Sequence, residues 1–338
     1  MDSFTKKNPR WGQIGSELNL HVSQSIISLK TITEPILDDL KIFQSELEDA
    51  LRSEVRLINT IAKYILKHKG KHFRPILTIL SSRVCGEPTI NSYRAAAMIE
   101  MLHVATLIHD DVVDDATLRR GWPSVNRVWK NKLSVLMGDF ILSKALINMI
   151  GLKDFDALGV ISKTAEDLSA GEILQIEKIF RRTMTEEVYF TMIYQKTASL
   201  IGASCELGAI TTTKKKNDRV AMKTFGEKLG TAFQIKDDLF DLLGSENETG
   251  KDHGTDVKKN MVTLPIIHSL RSLSKSDSRR LTSLMRKRKK TKKVLLELTG
   301  LVDIGGGFKY AMDKLDEFSN HAFDAISPYS DSPYKQSL

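Results

Sequence analysis

Cysteine is scarce in this chain of 338 residues, which has only Cys85 and Cys205. Two cysteines exclude a disulfide framework and a cysteine-rich zinc cluster, and they are typical of proteins in a reducing cytosol. The N-terminus from Met1 to Lys7 has no apolar core of the kind found in signal peptides. No uninterrupted apolar run is long enough to span a bilayer. We therefore expect a soluble, cytoplasmic protein.

Proline is missing from the middle of the chain, with none between Pro123 and Pro265. A proline inside a helix costs about 3 kcal/mol, so this gap favours long helices. Helical periodicity recurs over residues 95–108, 136–150, 161–180 and 225–243. Alternating β-branched runs between hairpin turns are scarce. The sequence predicts one all-α domain over residues 1–338, with a core from about 30 to 325 and a frayed tail from Ser327 onward.

The formal net charge of +8 indicates an anionic partner without selecting one. Much of the excess lies in one run, Arg286 to Lys293. The simplest interpretation of this run is a solvated connection between two helices. Attraction to an anionic membrane surface is the second interpretation, and would bring the protein into peripheral membrane contact for product release. Nucleic-acid binding is not expected, because the run lacks interleaved aromatic residues for base stacking.

Two aspartate clusters share the pattern D-D-x-x-D and lie in apolar sequence that is predicted to be helical. Residues four apart share one helix face, where like charges repel each other and are costly to desolvate. One such cluster is compatible with a solvated patch, whereas two matching clusters indicate a shared cation. Oxygen ligands favour Mg²⁺, which completes its shell with substrate phosphates and water. The aspartates are Asp110, Asp111, Asp114, Asp237, Asp238 and Asp241.

Cationic residues accompany the aspartates. Lys71 and Arg74 are spaced by one helical turn, and Arg119 and Arg120 follow the first aspartate cluster. Arginine binds phosphate through its planar fork and lysine as a point charge, so these residues are able to hold a diphosphate. His103 lies two helical turns before the first cluster, where it is either a donor to the same cavity or a satisfied core histidine. Taken alone, Lys71 and Arg74 are equally compatible with surface charges.

Together these residues resemble the trans-polyprenyl diphosphate synthases, which are head-to-tail prenyltransferases, over about Lys63 to Gly307. Six landmarks occur in the family's order: Gly70-Lys71-x-x-Arg74-Pro75, the first aspartate motif with Arg119-Arg120-Gly121, Lys196-Thr197, Phe233-Gln234-x-x-Asp237-Asp238-x-x-Asp241, Gly250-Lys251-x-x-Gly254-x-Asp256 and Thr263-Leu264-Pro265. One departure concerns the Gly-Lys pair that the family often carries before Thr-Leu-Pro. Here those positions are Asn260 and Met261, with Lys258 and Lys259 beside them.

The resemblance implies an isoprenoid synthase fold, a bundle of long α-helices around a deep central cavity with the aspartate motifs at its mouth. It also implies that two or three Mg²⁺ ions bridge the six aspartates to the diphosphate of the substrate. Isopentenyl diphosphate would be bound by Lys71, Arg74, His103 and Arg120. The allylic diphosphate, such as farnesyl diphosphate, would be bound by Arg119, Lys196, Thr197, Gln234 and Lys251. Among these, Lys196, Thr197 and Gln234 would face the reacting allylic cation.

Product length is predicted from the residues one turn before the first aspartate motif. Short-chain members of the family carry a bulky aromatic there, whereas this chain has Ala105 and Thr106. We expect the cavity to continue until Met137 or Phe140 blocks it. The expected product is a long all-trans chain of about eight isoprene units, within a range of six to ten. The alternative is that the two small residues only permit close helix packing.

Other functions agree less well with the same residues. A class I terpene cyclase has a different second metal motif, and a short-chain synthase differs mainly at Ala105 and Thr106. A non-catalytic subunit of a heteromeric synthase would be expected to lose aspartates, and none is lost. A di-iron bundle is not expected, because Glu-x-x-His pairs are absent near the motifs. We expect a homodimer, with a heteromer left open.

Overall fold

The computed structural model describes residues 28–68, 70–181, 183–243, 255–259 and 261–338. A short 3₁₀ turn, Glu34–Ile36, joins the first two helices. The helices are α1 Leu29–Thr33, α2 Leu37–Ala50, α3 Arg56–Lys67, α4 Phe73–Cys85, α5 Ile90–Val113, α6 Val125–Gly151, α7 Phe155–Arg181, α8 Glu186–Ile193, α9 Ser199–Ile210, α10 Lys216–Leu243, α11 Thr255–Lys258, α12 Leu264–Ser272, α13 Lys275–Arg286, α14 Lys292–Ile304, α15 Gly307–Ile326 and α16 Pro333–Ser337. Two short antiparallel strands, β1 Leu118–Arg119 and β2 Trp122–Pro123, form a hairpin. The predicted all-α fold is confirmed.

Helices α8 and α9 are continuous through a π-helical segment, Tyr194–Ala198. Such segments insert an extra residue into a helix and occur often at functional sites. Helix α6 is interrupted near its start, where Lys130 adopts a φ of 70° and a ψ of 161°. Past this kink, α6 runs on to Gly151 beside α5. The long helices predicted from the missing prolines therefore contain two local departures from regular geometry.

The apolar side chains form three buried clusters. The first lies among α2–α7 and α9, and it contains Ala105 and Met137. The second joins α8 and the end of α10 to helices α12–α15. The third is smaller and packs α4 and α9 against α10 and α15. Helix α5 is buried on nearly all sides, which explains its weakly polarised apolar pattern.

Helices α9 and α10 approach closely because small residues face each other. A Cβ atom added to Gly230 would lie 2.6 Å from the Cα atom of Ala198, and one added to Gly226 would lie 2.6 Å from the carbonyl oxygen of Ile201. Real Cβ atoms do not approach backbone this closely, so glycine is required at this spacing. The close approach places the π-helical segment directly against α10.

The C-terminal segment, predicted to be frayed from Ser327 onward, packs against the fold. Tyr334 and Leu338 pack on the first core cluster, and α16 contacts α4. The amino group of Lys335 donates hydrogen bonds to the carbonyl oxygens of Ser327 and Tyr329. The composition of this segment is mostly polar, and it does not reveal that Tyr334 and Leu338 make apolar contacts or that Lys335 bonds to backbone carbonyls.

By length and composition alone, helix α6 is long and apolar enough to cross a membrane. In this structure, 33% of its most apolar window is buried. Because polar residues are scattered along α6, it contains no uninterrupted apolar run of membrane-spanning length. Its buried side chains, among them Met137 and Ile141, belong to the first core cluster. Other apolar side chains on α6, including Leu136, Ile147 and Ile150, are exposed.

Candidate active site

The first aspartate motif lies at the C-terminal end of α5. Asp110 and Asp111 belong to its last turns, and Asp114 is the residue that ends the helix. Asp111 is buried, whereas Asp110 is half-buried and Asp114 is exposed. A helix C-terminus is the less favourable end for negative charge, so the motif is held there by its partners rather than by the helix dipole.

The β1–β2 hairpin brings Arg119 back to the first motif. Arg120 and Gly121, the two turn residues, have positive φ values of 54° and 80°, as a two-residue turn of the primed type requires. The Nε and Nη2 atoms of Arg119 donate hydrogen bonds of 2.9 and 2.5 Å to one carboxylate oxygen of Asp111. Asp111 therefore fixes the position of the arginine that is predicted to bind the allylic diphosphate.

Asp110 lies in a region of concentrated negative charge. Burial, followed by the nearby carboxylate of Glu172, raises the pKa of Asp110 to about 6, and Asp114 adds to this effect. The charges of Lys196 and Arg119 oppose it. Lys196 itself forms an ion pair with Glu172 and donates a 2.8 Å hydrogen bond to the side-chain oxygen of Gln175. The first motif is thus close to the π-helical segment and to α7.

A second group of cations forms on the other side of Arg119. Burial, and then the charges of Arg74 and Arg120, hold the pKa of His103 well below its usual range, so this histidine is neutral. Burial also lowers the pKa of Arg74 to about 10, against the opposing charge of Glu100. The guanidinium of Arg120 occupies the space where a Cβ atom of Gly70 would lie. The structure therefore brings together Arg74, His103 and Arg120, as predicted.

The loop before α4 adds two observations to this cationic group. Lys71 is exposed, and His72, with a φ of 49°, contacts Glu100 through a 3.1 Å hydrogen bond. The Nε atom of Arg74 and the Nε2 atom of His72 are buried and lack a hydrogen-bond partner among the described residues. Buried donors without partners are costly, and an anionic ligand at this position would satisfy Arg74.

The second aspartate motif lies near the end of α10. Asp237 is exposed, while Asp238 is buried and accepts hydrogen bonds from Tyr189 (2.7 Å) and Gln234 (2.9 Å). The hydroxyl of Thr197 donates a 2.8 Å hydrogen bond to the side-chain oxygen of Gln234. The predicted residues Thr197, Gln234 and Asp238 therefore form one connected network. Asp241 is half-buried and has a partner of its own.

Two further contacts join the surroundings of the two motifs. The amino group of Lys259 lies 2.8 Å from a carboxylate oxygen of Asp114. The rings of Phe73, next to Arg74, and Phe233, next to Gln234, stack with centroids 6.1 Å apart. The chain segment after the second motif therefore reaches the first motif, and the start of α4 contacts α10.

A cleft opens beside the cationic group and extends into apolar surroundings. Gly70, His103, Arg119 and Arg120 line one end, and its empty volume, part of it open to solvent, is about 840 Å³. Helix α5 contributes Val104, Leu107 and Ile108 to this cleft. The remaining apolar walls come from α2, α3 and α6, for example Leu51, Leu66 and Ile141.

The residues predicted to set product length do not line this cleft. Ala105 is fully buried in the first core cluster beside Met137, and the hydroxyl of Thr106 bonds to the carbonyl oxygen of His103. Phe140 lines a surface groove among α2, α3 and α6, where the amino group of Lys144 lies 5.9 Å from its ring. The assignment of chain length to Ala105 and Thr106 stays a prediction.

Within the described ranges, no three His, Cys, Asp or Glu side chains are gathered as a preformed metal centre. The donor chemistry nevertheless fits Mg²⁺, which takes only one or two carboxylates and fills its shell with phosphate oxygens and water. The raised pKa of Asp110 marks negative charge that a cation would neutralise. Lys251, predicted to bind the allylic diphosphate, lies outside the described residues.

Several residues of the site were not identified from sequence. Glu172 and Gln175 on α7 hold Lys196, Tyr189 holds Asp238, and Glu100 lies among the cations. The spacing of Glu172 and Gln175, three residues apart, is a weak signal that both face the same neighbour. Tyr189 and Glu100 carry no local signal, because their partners are distant in sequence.

Comparison with known proteins places these landmarks in a wider context. A family model described as polyprenyl synthetase matches residues 55–302. The chain is 33% identical over 316 residues to an all-trans-nonaprenyl-diphosphate synthase (geranyl-diphosphate specific) of Rhodobacter capsulatus, covering 91% of this chain and 94% of that protein. It is 30% identical to the octaprenyl diphosphate synthase of Escherichia coli, over 92% and 96% of the two chains. It is 35% identical to heptaprenyl diphosphate synthase component 2 of Geobacillus stearothermophilus, over 72% and 76%.

Solved structures show the same fold. A polyprenyl synthase from Caulobacter crescentus, complexed with calcium and isoprenyl diphosphate, superposes with a TM-score of 0.83 at 26% identity, over 93% of this chain and 96% of the other. A geranylgeranyl pyrophosphate synthetase from Pyrococcus horikoshii gives 0.84 at 28% identity, over 90% and 95%. Because one of these is named for a shorter product, likeness of fold alone does not select product length.

Proposed function

Because the chain belongs to the polyprenyl synthetase family, we propose that it condenses isopentenyl diphosphate with an allylic diphosphate to make a long-chain all-trans polyprenyl diphosphate. The observation that carries this proposal is that one π-helical segment connects the two aspartate motifs, next to a separate group of cations. The charge of its Lys196 acts on Asp110, and its Thr197 bonds to Gln234, which holds Asp238. Asp114 and Lys259 span the site, and Arg74, His103 and Arg120 form the cationic group. Two anionic substrates therefore have two distinct binding regions.

The binding roles follow from charge and position. The allylic diphosphate is held by Arg119, which Asp111 orients, and by Lys196, which Glu172 and Gln175 orient. Lys251 is proposed to assist. Isopentenyl diphosphate is held by Arg74 and Arg120, with Lys71 at the entrance and neutral His103 as a hydrogen-bonding group. Fixed cations of this kind stabilise the charge that develops on a leaving diphosphate.

The reaction proceeds by ionisation, condensation and elimination. Heterolysis of the allylic C–O bond leaves the electron pair on the diphosphate and forms an allylic cation. The double bond of isopentenyl diphosphate attacks this cation, a new C–C bond forms, and loss of a proton restores a double bond. Oxygen atoms of Thr197 and Gln234 are the polar groups that we place against the cation. The released diphosphate is the proposed proton acceptor, so no protein base is needed.

Mg²⁺ is the proposed cofactor, held by Asp110 and Asp114 on one side and Asp237 on the other. When bound, it neutralises the diphosphate as a Lewis acid. The polyprenyl synthase from Caulobacter crescentus is complexed with calcium as well as isoprenyl diphosphate, and this supports a divalent cation beside the diphosphate. Asp111 and Asp238 already have protein partners, so we assign them to positioning Arg119 and Gln234.

A product of about eight isoprene units remains our proposal for this chain. Two relatives that match over more than nine-tenths of its length are named octaprenyl and nonaprenyl diphosphate synthases. Small side chains at Ala105 and Thr106 are consistent with a long product. The allylic primer is proposed to be farnesyl diphosphate, with geranyl diphosphate as the alternative that the name of one relative suggests.

We propose that the protein is a cytoplasmic homodimer. Leu136, Ile147 and Ile150 recur at helical spacing on α6 and are 55%, 64% and 61% exposed. Phe155 and Ile173 on α7 are 87% and 67% exposed. Exposed apolar side chains that recur along one helix face are typical of protein interfaces. The relative named component 2 supports a heteromer as the alternative, and light scattering of the purified chain, with its activity measured alone, separates the two.

One experiment tests the function directly. The purified chain is incubated with Mg²⁺, radiolabelled isopentenyl diphosphate and, in turn, geranyl, farnesyl and geranylgeranyl diphosphate, and the dephosphorylated product is sized by thin-layer chromatography. We expect a long product that disappears in Asp110→Asn and Asp237→Asn. Failure of the unsubstituted chain to incorporate label with every primer would overturn the proposal.

A further inference from the structure

The connection between α13 and α14 forms a basic surface. Its exposed cations are Arg286, Lys287, Arg288, Lys289, Lys292 and Lys293. None of these six forms an ion pair with any residue in the described ranges. Lys290 differs, because its amino group turns inward and donates hydrogen bonds to the carbonyl oxygens of Met285 and Lys287 at 2.6 and 2.5 Å. Lys290 therefore shapes the turn, while its neighbours present uncompensated positive charge.

Helix α14 continues this surface with apolar residues on its outer face. Val294, Leu298 and Val302 are buried on the inner face. Leu296 and Ile304, four and twelve residues after Lys292, are nevertheless 58% and 73% exposed. A Cβ atom added to Gly300, which lies between them on the same face, would meet no heavy atom within 4 Å. The outer face therefore presents two exposed apolar side chains after the basic turn, with the half-buried Asp303 as the acidic residue of the same stripe.

We propose that this basic and apolar surface binds the face of an anionic lipid bilayer. Negative lipid headgroups attract clustered lysine and arginine side chains, and apolar side chains next to such a cluster enter the interface between headgroups and acyl chains. The surface has both components, adjacent in the chain, at the start and along the outer face of α14. The absence of aromatic residues from the run disfavours nucleic acid. The inference rests on the proposed function, because a long polyprenyl product has to enter a membrane.

The electrostatic part is tested with two charge-matched variants of the full chain. Arg288→Glu/Lys289→Glu/Lys292→Glu alters the proposed surface, and Lys214→Glu/Lys215→Glu/Lys216→Glu reverses three exposed lysines at the start of α10. Both change the net charge by the same amount. Binding is measured by flotation with neutral phosphatidylcholine vesicles and with vesicles that also contain phosphatidylglycerol. Each cation contributes about 1 kcal/mol near an anionic surface, and the glutamates add repulsion, so the first variant is expected to bind at least about a hundredfold more weakly and the second to bind like the unsubstituted chain.

The apolar part is tested with Leu296→Ser/Ile304→Ser. We expect this variant to bind anionic vesicles more weakly while its dependence on salt stays unchanged, because the cations remain. The control is Val220→Ser, which alters an apolar side chain of α10 that is 62% exposed. Circular dichroism confirms that each variant is folded before binding is compared.

Three outcomes would overturn the inference: equal binding of the unsubstituted chain to neutral and anionic vesicles, equal loss in both charge variants, or binding to a single-stranded RNA oligonucleotide in place of vesicles. Prenyl transfer is measured on the same preparations in detergent, where every variant is expected to remain active. Loss of vesicle binding with retained transfer locates the failure in the surface. Inactivity of the unsubstituted chain with normal vesicle binding counts against the proposed function alone.

Discussion

The side-chain amino group of Lys259 lies 2.8 Å from the carboxylate of Asp114, although 145 residues separate them in the chain. The ion pair joins the segment after the second aspartate motif to the end of the first. Met261 occupies the position where the family often has a lysine, and Lys259 lies two positions before it. A lysine contact to the first motif is therefore present in this protein, but from another position.

Replacement of Lys259 by alanine is expected to strengthen binding of Mg²⁺ in the absence of substrate, because Asp114 loses a competing positive charge. Both side chains are about half exposed, and an exposed pair contributes at most about 1 kcal/mol, so the gain should not exceed about fivefold. Isothermal titration with Mg²⁺ measures it. Lys258→Ala is the matched control, and equal effects of the two substitutions would contradict a specific contact with Asp114.

Asp111→Asn is expected to reduce kcat/KM for the allylic substrate by about tenfold to a hundredfold, since a hydrogen bond to a charged group contributes about 1.5–3 kcal/mol. The asparagine leaves Arg119 in place but no longer supplies the negative charge that holds both of its donors. Steady-state kinetics with the allylic substrate varied measures this change. Asp115→Asn is the control, because Asp115 is exposed and its φ of 49° suits asparagine. A similar loss in both variants would show that net charge, not the Arg119 contact, matters.

Asp110→Asn is expected to stabilise the protein in the absence of metal. The folded-state pKa of about 6 lies above the ordinary value of 3.8, so ionisation of Asp110 opposes folding and stability falls as the pH rises between these values. Asparagine removes this cost. After allowance for partial exposure, we expect a gain of about 1 kcal/mol near neutral pH. Urea unfolding in the presence of a chelator should show this gain shrinking as the pH is lowered toward 3.8. A gain that is independent of pH would contradict this cause.

Gly230→Ala is expected to lower both stability and prenyl transfer, because the new methyl group would lie 2.6 Å from the Cα atom of Ala198. The displaced π-helical segment carries Thr197, whose hydroxyl bonds to Gln234. Overpacking of this kind costs about 1–3 kcal/mol. Gly300→Ala is the matched control, since it has open space on α14 and should gain about 1 kcal/mol from helix propensity. Thermal unfolding and the transfer assay report both effects. A stable, active Gly230→Ala enzyme would contradict close packing of α10 against the π-helical segment.

Thr106→Phe is expected to shorten the polyprenyl product, whereas Leu107→Phe is expected to leave its length unchanged. The two residues are adjacent on α5 but point to different sides, because Leu107 lines the open cleft and Thr106 does not. Chromatographic sizing of the dephosphorylated products distinguishes the two variants. A shorter product only in Leu107→Phe would move the growing chain to the cleft and remove the proposed role of Thr106.

The fold could be predicted from sequence because it depends on local signals, and the charged residues of the candidate site were selected from signals of the same kind. Missing prolines and apolar periodicity indicate long helices, and D-D-x-x-D indicates a diphosphate site. The partners of these residues could not be predicted in the same way. Asp111 and Asp114 occupy one motif, yet one binds Arg119 and the other binds Lys259. That difference depends on a hairpin turn and on chain segments that meet only in the folded protein.

The packing of the C-terminal segment could not be predicted from sequence for a related reason. Its serines, prolines and charges have the composition of a flexible end, and composition averages over the residues that matter. Tyr334 and Leu338 make the apolar contacts that hold α16 in place. Whether an isolated tyrosine or leucine finds a partner depends on the surface of α4, which no local pattern describes.

The π-helical segment Tyr194–Ala198 changes the rotational register of the continuous helix formed by α8 and α9. An α-helix advances by about 100° per residue, so one additional residue rotates everything before it by about that angle relative to everything after it. Tyr189 and Met192 before the segment face the second core cluster, whereas Leu200 and Leu207 after it face the first. A single-residue deletion there would restore a regular helix, but the helix would then be in register with only one of the two cores. The irregular segment that contains Lys196 and Thr197 thus also allows one continuous helix to pack into both core clusters.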